Sequence, residues 1–408
     1  MDRGGWGRDM RPRSCFVYQI LIAACFGLGL CAGVSAQSEI AKFGAMGDSL
    51  TDEYFEQGFG SYADSWTELL VLHRGIDMGR TAVEAGQPGG TWGEPRRTGY
   101  RHNWARYGAT TAAMLSNGQH TGLANDAVTY GVSHAALFIG VNDFSPWFGC
   151  YGNIYNGNWS QAQIDSWVAG RISNITSALD TVVPAGVQLV VVNIPDPSIM
   201  QFVWSQYPDP NRRDAAAAAV AQANADIRDL AEQYELALVD VYALTKAAFG
   251  PNADQHEYLY VGGVGIELLV ASGTNPLAAW VADGVHPRTV LQGMFANVVL
   301  AALNQAYGAD VDLFTEEELL VNAGIAYGGE DTLAERIGAY SDYVAVFGHP
   351  GDIDLDGDVD WNDFDLFADC LAGPEAGIGG DCSAADLDDD LDGDLADFAV
   401  FQQIFGDE

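Results

Sequence analysis

Four stretches of this sequence carry residue types that acyl transfer requires. Gly47-Asp48-Ser49-Leu50-Thr51-Asp52 follows directly on an apolar run, so Ser49 stands just past a strand end, with Gly47 available for a tight turn. A serine hydroxyl is a weak nucleophile until a neighbouring base takes its proton. Among the 7 histidines, His286 is placed for that task, in Asp283-Gly284-Val285-His286-Pro287 ahead of a helix-like run from Val290 to Tyr307. Asp283, three residues earlier, can reach back to the imidazole, fix its tautomer and stabilise the imidazolium. Taken alone, an Asp-x-x-His pair reads better as a polar helix cap. Two other segments strengthen the catalytic reading. Gly108, within Asn103-Trp104-Ala105-Arg106-Tyr107-Gly108-Ala109-Thr110, would let a backbone N–H approach a substrate closely. Asn142, in Gly140-Val141-Asn142-Asp143, offers a carboxamide to the oxyanion of a tetrahedral intermediate.

These residues need a scaffold that delivers strand ends to one place. Ala41–Met46, His134–Gly140, Val187–Ile194 and Leu236–Val241 read as strands, the third a nearly continuous Val/Ile run of the kind buried on both faces of a parallel sheet. Tyr62–His73, Ser160–Val183 and Arg212–Tyr234 read as helices between them. Alternation of this sort predicts an α/β fold, a parallel sheet covered by helices on both sides, with ligands at the carboxyl ends of the strands. Phe314–Ile325 and Asp331–Phe347 are expected to be helical and to finish the catalytic domain.

The four blocks Gly47-Asp48-Ser49-Leu50, Gly108, Gly140-Val141-Asn142-Asp143 and Asp283-Gly284-Val285-His286 resemble those of the SGNH, or GDSL, hydrolases over about residues 40–307. The resemblance implies a flavodoxin-like three-layer fold and hydrolysis of esters, with no cofactor needed for catalysis. By that likeness Ser49 attacks, His286 acts as base and then acid, and Asp283 orients it. The oxyanion hole would be the N–H groups of Ser49 and Gly108 with the Asn142 side chain. The absence of a G-x-S-x-G segment argues against the α/β-hydrolase alternative. Small-molecule, lipid and polysaccharide esters all remain open as substrates. Trp147, Phe148, Tyr151, Tyr155 and Trp159 crowd the segment after Asn142 and read as an acyl pocket, a platform for sugar rings, or a cluster pinning a long loop. A non-catalytic extracellular binding protein on the same fold is the alternative class, against which the intact Ser49, Asn142, Asp283 and His286 set speaks.

Beyond Gly348-His349-Pro350-Gly351 the composition changes. About a third of the acidic residues follow Pro350, in a stretch without Lys or Arg. Asp352, Asp354, Asp356, Asp358, Asp360 and Asp363 fall at positions one, three, five, seven, nine and twelve of a loop with Gly357 at six, which is calcium-loop spacing. A second copy aligns as Asp386, Asp388, Asp390, Asp392, Asp394 and Asp397, but with Leu391 in place of the glycine. With Asp at position twelve, the pair resembles a dockerin-type module, α-helical and calcium-binding, which implies a cohesin-like or cell-surface partner. Cys370 and Cys382 flank a Gly-rich loop and are the natural disulfide pair, leaving Cys150 as a buried thiol.

The chain of 408 residues has a formal net charge of -38, which argues against nucleic acid as a partner. Its first 36 residues read as an export signal: Arg3, Arg8, Arg11 and Arg13 precede an apolar run that ends in Val34-Ser35-Ala36. An uncleaved anchor helix, or lipid attachment at Cys25 in Ile22-Ala23-Ala24-Cys25, fits the same stretch. Each of these options puts the protein outside the cytoplasm, either secreted, periplasmic or at the cell surface. The organisation expected is therefore a signal over 1–36, a hydrolase domain over 37–347 and the Asp-rich module over 348–408.

Overall fold

The computed structural model describes residues 40–349, 351–357, 359–371, 380–387 and 392–405. The segment read as an export signal lies outside them, as do Asp358, Asp388, Asp390 and Leu391 of the Asp-rich loops. No helix among the described residues is long and apolar enough to cross a membrane.

A five-stranded sheet organises the chain between Phe43 and Val346. Strands β1 (Phe43–Gly47), β2 (His134–Phe138), β3 (Gln188–Val192) and β4 (Ala237–Val239) run parallel in that order. All of β1 and β2 is buried, and so is β3 from Leu189 onward, because helices cover both faces. One layer holds α1 (Trp66–Arg74) against α6 (Thr289–Tyr307). The other holds α2 (Gln119–Tyr130), α3 (Gln161–Val182) and α5 (Pro210–Gln233), with the short α4 (Gln201–Gln206) just ahead of α5. Every residue of α6 from Thr289 to Leu303 is buried, as expected of a helix apolar on nearly all sides.

Beside β1 on its outer side runs the segment that carries Gly108. Ala45 bridges Asn103 in parallel, and the N–H groups of Trp104 and Arg106 donate to Ala45 O and Gly47 O at 2.8 and 3.1 Å. Counted as an edge strand, this segment gives the order expected of a flavodoxin-like sheet, with the second strand in sequence outside the first.

Two expectations are corrected. The sheet is mixed, because β8 (Val344–Val346) closes it antiparallel to β4. Asp331–Phe347 is accordingly not one helix: one α-helical turn, Ala334–Ile337, and one 3₁₀ turn, Tyr340–Tyr343, precede that strand. Of Phe314–Ile325 only Glu316–Asn322 is helical, starting at a Thr315 capping box. The apolar residues of 331–347 serve a strand edge and a loop, and their spacing alone does not distinguish these from one helix face. A separate three-stranded sheet, β5 (Tyr258–Val261), β6 (Val264–Ala271) and β7 (Ala278–Trp280), was not expected; it leads the chain into Asp283.

The described part of the Asp-rich segment forms two helices, α7 (Trp361–Cys370) and α8 (Leu395–Ile404), around a small core of Phe367, Phe401 and Ala385. Cys370 and Cys382 are disulfide-bonded, and Cys150 is a buried free thiol whose pKa burial pushes up to about 12. Loop one touches the rest of the chain directly: Val346 N–H donates to Leu355 O at 3.1 Å, and Gln305 Nε2 to Asp356 O at 3.1 Å.

Candidate active site

The turn that carries Ser49, the candidate nucleophile, is built from the end of β1. A Cβ on Gly47 would lie 2.3 Å from Phe138 O, so only glycine lets β1 and β2 meet there. Gln119 pairs with both backbone groups of Gly47, and the Asp48 carboxyl accepts from Leu50 N–H at 3.0 Å while Asp48 O accepts from Thr51 and Asp52 N–H. The turn is thereby satisfied internally and the Ser49 side chain points away from it. Burial, with the charges of Asp143 and Asp52 adding to it, raises the Asp48 pKa to about 8, so this carboxyl stays protonated at neutral pH.

The candidate base, His286, comes from the loop after β7. Asp283 Oδ1 accepts from Val285 N–H (2.8 Å) and His286 N–H (3.1 Å), and Gly284 takes φ 70°, so a four-residue turn aims both side chains the same way. Asp283 Oδ2 lies 2.6 Å from His286 Nδ1, and His286 Nε2 lies 2.7 Å from Ser49 Oγ. Burial works against the Asp283 charge, but the His286 hydrogen bond and charge outweigh it and hold the carboxyl below its ordinary range. Ser49 is 6% exposed and His286 4%. The imidazole is walled by Phe59 and Tyr107, ring centroids 5.3 and 5.5 Å away, and by the edge of Tyr54.

The remaining predicted residues meet Ser49 from two other loops. Tyr107 N–H donates to Asp52 Oδ2 at 2.7 Å, which ties the Gly108 loop to the Ser49 turn; Gly108 follows at φ 73°. Asn142 Nδ2 donates to Ala109 O at 3.0 Å, and an amide nitrogen has a second hydrogen to give. Asp143 braces that turn by accepting from Thr111 N–H (2.8 Å) and Thr111 Oγ1 (3.0 Å), with Arg171 Nε at 3.3 Å. Burial pushes its pKa up to about 6 against those contacts. Among the described residues, neither Ser49 N–H nor Gly108 N–H donates to a protein acceptor. Both line a cavity of about 310 Å³ together with Asn142, Asp283 and His286. The arrangement suits attack on a carbonyl, with donors waiting for the charge that develops on its oxygen.

The aromatic segment after Asn142 divides. Trp147 and Phe148 line the cavity, whereas Tyr151 and Tyr155 are buried against Tyr207, and Trp159 packs on Trp167. Sequence reasoning missed Met200, Phe202 and Val285, which complete the apolar wall, and the rings of Tyr54, Phe59 and Tyr107 around the imidazole. Tyr107 stands next to Gly108 and Val285 next to His286, both within reach of that reasoning; the others carry no local signal.

The sequence pattern of the GDSL-like Lipase/Acylhydrolase family matches residues 43–299 and so takes in every one of these blocks. The chain belongs to that family. It is an ester-hydrolysing enzyme. No curated protein matches the chain. Among solved structures, this GDSL enzyme is similar to a GDSL-like lipase from Bacteroides thetaiotaomicron, at 13% identity and TM-score 0.32 over 60% of this chain and 79% of that one. It is similar to an extracellular lipase from Streptomyces rimosus, at 18% and 0.35 over 60% and 92%. It is also similar to an acetyl xylan esterase from Geobacillus stearothermophilus, at 15% and 0.34 over 64% and 94%. Likenesses this distant do not transfer a substrate.

In the Asp-rich module, carboxylate oxygens of Asp352, Asp354 and Asp356 lie within 4.8 Å of one another, an oxygen-only set that suits a hard cation. Burial and neighbouring carboxylates raise the pKa of Asp352 to about 7 and of Asp354 to about 6. Gly357 takes φ 103°, as position six was expected to require. Asp360 is turned instead to the first turn of α7, where it accepts from Asn362 N–H, and fully buried Asp363 accepts from the N–H groups of Ile353, Asp354 and Asp360. Loop two repeats this pattern, with Asp397 accepting from Leu387 and Asp394 N–H. Its close carboxylates are Asp392, Asp394 and Asp397; Asp386 stands outside that group.

Proposed function

We propose that this enzyme is an exported serine hydrolase of acyl esters that works through Ser49, His286 and Asp283. What carries the reading is the unbroken hydrogen-bond line from Asp283 through His286 to Ser49 Oγ, opening on the cavity. Ser49 Oγ would attack the ester carbonyl as His286 Nε2 takes its proton. The oxyanion would be met by the N–H groups of Ser49 and Gly108 and by the second amide hydrogen of Asn142. His286 then returns the proton to the leaving alcohol, and a water activated by the same imidazole releases the acid. The apolar wall of Trp147, Phe148, Met200 and Phe202 supports an acyl group seated beside Ser49, on a small-molecule, lipid or polysaccharide alcohol.

The basic and apolar amino-terminal segment supports secretion, or a periplasmic or cell-surface location. In the carboxyl-terminal module Asp352, Asp354, Asp356 and Asp363 would hold calcium, which would order the loop for attachment to a cohesin-like or cell-surface partner and take no part in ester hydrolysis. The test of the catalytic reading is release of p-nitrophenol from its acetate. Ser49→Ala should lower turnover by several orders of magnitude with the fold intact. Activity near the wild-type level in that variant would refute it.

A further inference from the structure

Asp52 closes the turn that begins at Gly47, and the mechanism above gives it no part. It is nevertheless buried, at 1% exposure, and each of its carboxylate oxygens accepts a backbone hydrogen bond. Oδ1 accepts from Glu53 N–H at 2.9 Å, a local contact that fixes the side chain. Oδ2 accepts from Tyr107 N–H at 2.7 Å, 55 residues away in sequence. Burial, with the Glu56 carboxylate adding to it, pushes the Asp52 pKa up against the Tyr107 hydrogen bond and the Arg106 guanidinium, 3.6 Å from Oδ2. A carboxyl in surroundings that disfavour its charge adds little by that charge. What it contributes is the acceptor.

That acceptor sits at the joint of the oxyanion donors. Arg106 N–H donates to Gly47 O at 3.1 Å, Tyr107 N–H to Asp52, and Ala109 N–H back to Arg106 O at 3.0 Å. Among the described residues, Asp52 is the one side chain that accepts from the backbone of 106–109. Gly108 turns between these anchors at φ 73°, with its own N–H left for the cavity. Peptide units are rigid, so only the two backbone torsions of Tyr107 separate the N–H that Asp52 holds from the N–H of Gly108. One residue further on, Ala109 O accepts from Asn142 Nδ2 at 3.0 Å and so sets the direction of that carboxamide. The donors of Ser49, Gly108 and Asn142 come from three segments. Asp52 ties the first to the second, and Ala109 O ties the second to the third.

We propose that Asp52 is the positioning residue of the oxyanion hole: it holds the Tyr107–Gly108 peptide, and through Ala109 O the Asn142 amide, where charge develops on the ester oxygen. The proposal rests on the Ser49 reading above. The test compares the full chain, wild type and Asp52→Ala and Asp52→Asn variants, in p-nitrophenyl acetate turnover and in inhibition by phenylboronic acid. Ser49 Oγ adds to the boron as its proton passes to His286, and the tetrahedral boronate so formed presents its negative charge to the oxyanion donors. Asp52→Ala should lower kcat about 10- to 100-fold with KM within about twofold. It should weaken boronic acid inhibition by a similar factor, because a donor displaced by about 1 Å is lost to the transition state and to its analogue alike. Asp52→Asn keeps an oxygen for Tyr107 N–H and should stay within about fivefold of wild type in both measures. An alanine variant that loses turnover yet binds the boronic acid like wild type would reduce Asp52 to a structural role and overturn the proposal. So would unaltered turnover, an effect on KM alone, or an asparagine variant as weak as the alanine one; in each case boronate binding by wild type leaves Ser49 in place. If the alanine variant does not fold, Asp52→Ser, whose hydroxyl is one bond short of Tyr107 N–H, replaces it under the same outcomes. A wild type that the boronic acid does not inhibit would overturn the Ser49 reading and the proposal with it.

Discussion

Asp283→Asn separates orientation from chemistry at this site. The carboxamide oxygen can keep the place of Oδ1, accepting from Val285 and His286 N–H, so the turn that carries the imidazole survives. The amide nitrogen then replaces Oδ2, 2.6 Å from His286 Nδ1, and offers a donor where the wild type offers an acceptor. That favours the tautomer with Nδ1 unprotonated and the hydrogen on Nε2, facing Ser49 Oγ. An imidazole in that state cannot take the serine proton. In serine proteases the equivalent exchange lowers kcat about 10⁴-fold, which is about 5.4 kcal/mol of barrier. KM for p-nitrophenyl acetate should barely move, because no binding contact is lost, and the melting temperature should change little, because the turn keeps its acceptor. Asp283→Ala removes that acceptor as well and should add about 1–3 kcal/mol of destabilisation from two unpaired N–H groups. Steady-state kinetics with thermal melts of both variants check this. An Asn variant within tenfold of wild-type kcat would refute the assignment of Asp283 as the residue that sets the imidazole tautomer.

The other expectations follow from the same geometry. Asn142→Ala should cost on the order of 100- to 1000-fold in kcat as one lost oxyanion donor, with KM little changed; a pure KM effect would make Asn142 a binding residue. Asp48, raised to about 8 by burial, keeps a proton in the native state that the unfolded chain has released above its ordinary pKa of about 3.9. Stability should therefore fall as pH rises through that window, and Asp48→Asn, which keeps an acceptor for Leu50 N–H, should flatten the fall in melts from pH 5 to 9. A variant with the wild-type slope would refute the buried neutral carboxyl. Calcium should bind the carboxyl-terminal module and raise its melting temperature, more through the first loop than the second, while chelator leaves p-nitrophenyl acetate turnover unchanged. Calorimetry showing two equally tight sites, or hydrolysis abolished by chelation, would sink that picture.

The short-range parts of the site were legible in the sequence because their geometry is local. Asp283 and His286 lie three residues apart, and one turn suffices to join them. Gly47 and Ser49 follow a strand whose apolar run announces itself, and Asn142 follows another. Gly357 could be placed from the spacing of the aspartates around it, since a sharp loop turn needs a residue free of Cβ.

What only the tertiary structure decided is convergence. Ser49 and His286 are 237 residues apart, and no periodicity relates them. The edge strand at Asn103 has polar and glycine-rich neighbours and is made by hydrogen bonds to β1, whose own pattern gives no hint of that partner. Strand β8 likewise exists because β4 offers an open edge, although its sequence reads as well for a helix. The cavity walls at Met200 and Phe202 come from a six-residue helix and the residue just ahead of it. Hydrogen bonds within a turn are fixed by residues a few positions apart, and so they are written into the chain. Which distant segments share one pocket is settled by packing across the whole domain, where each residue's surroundings are set by residues far away in sequence.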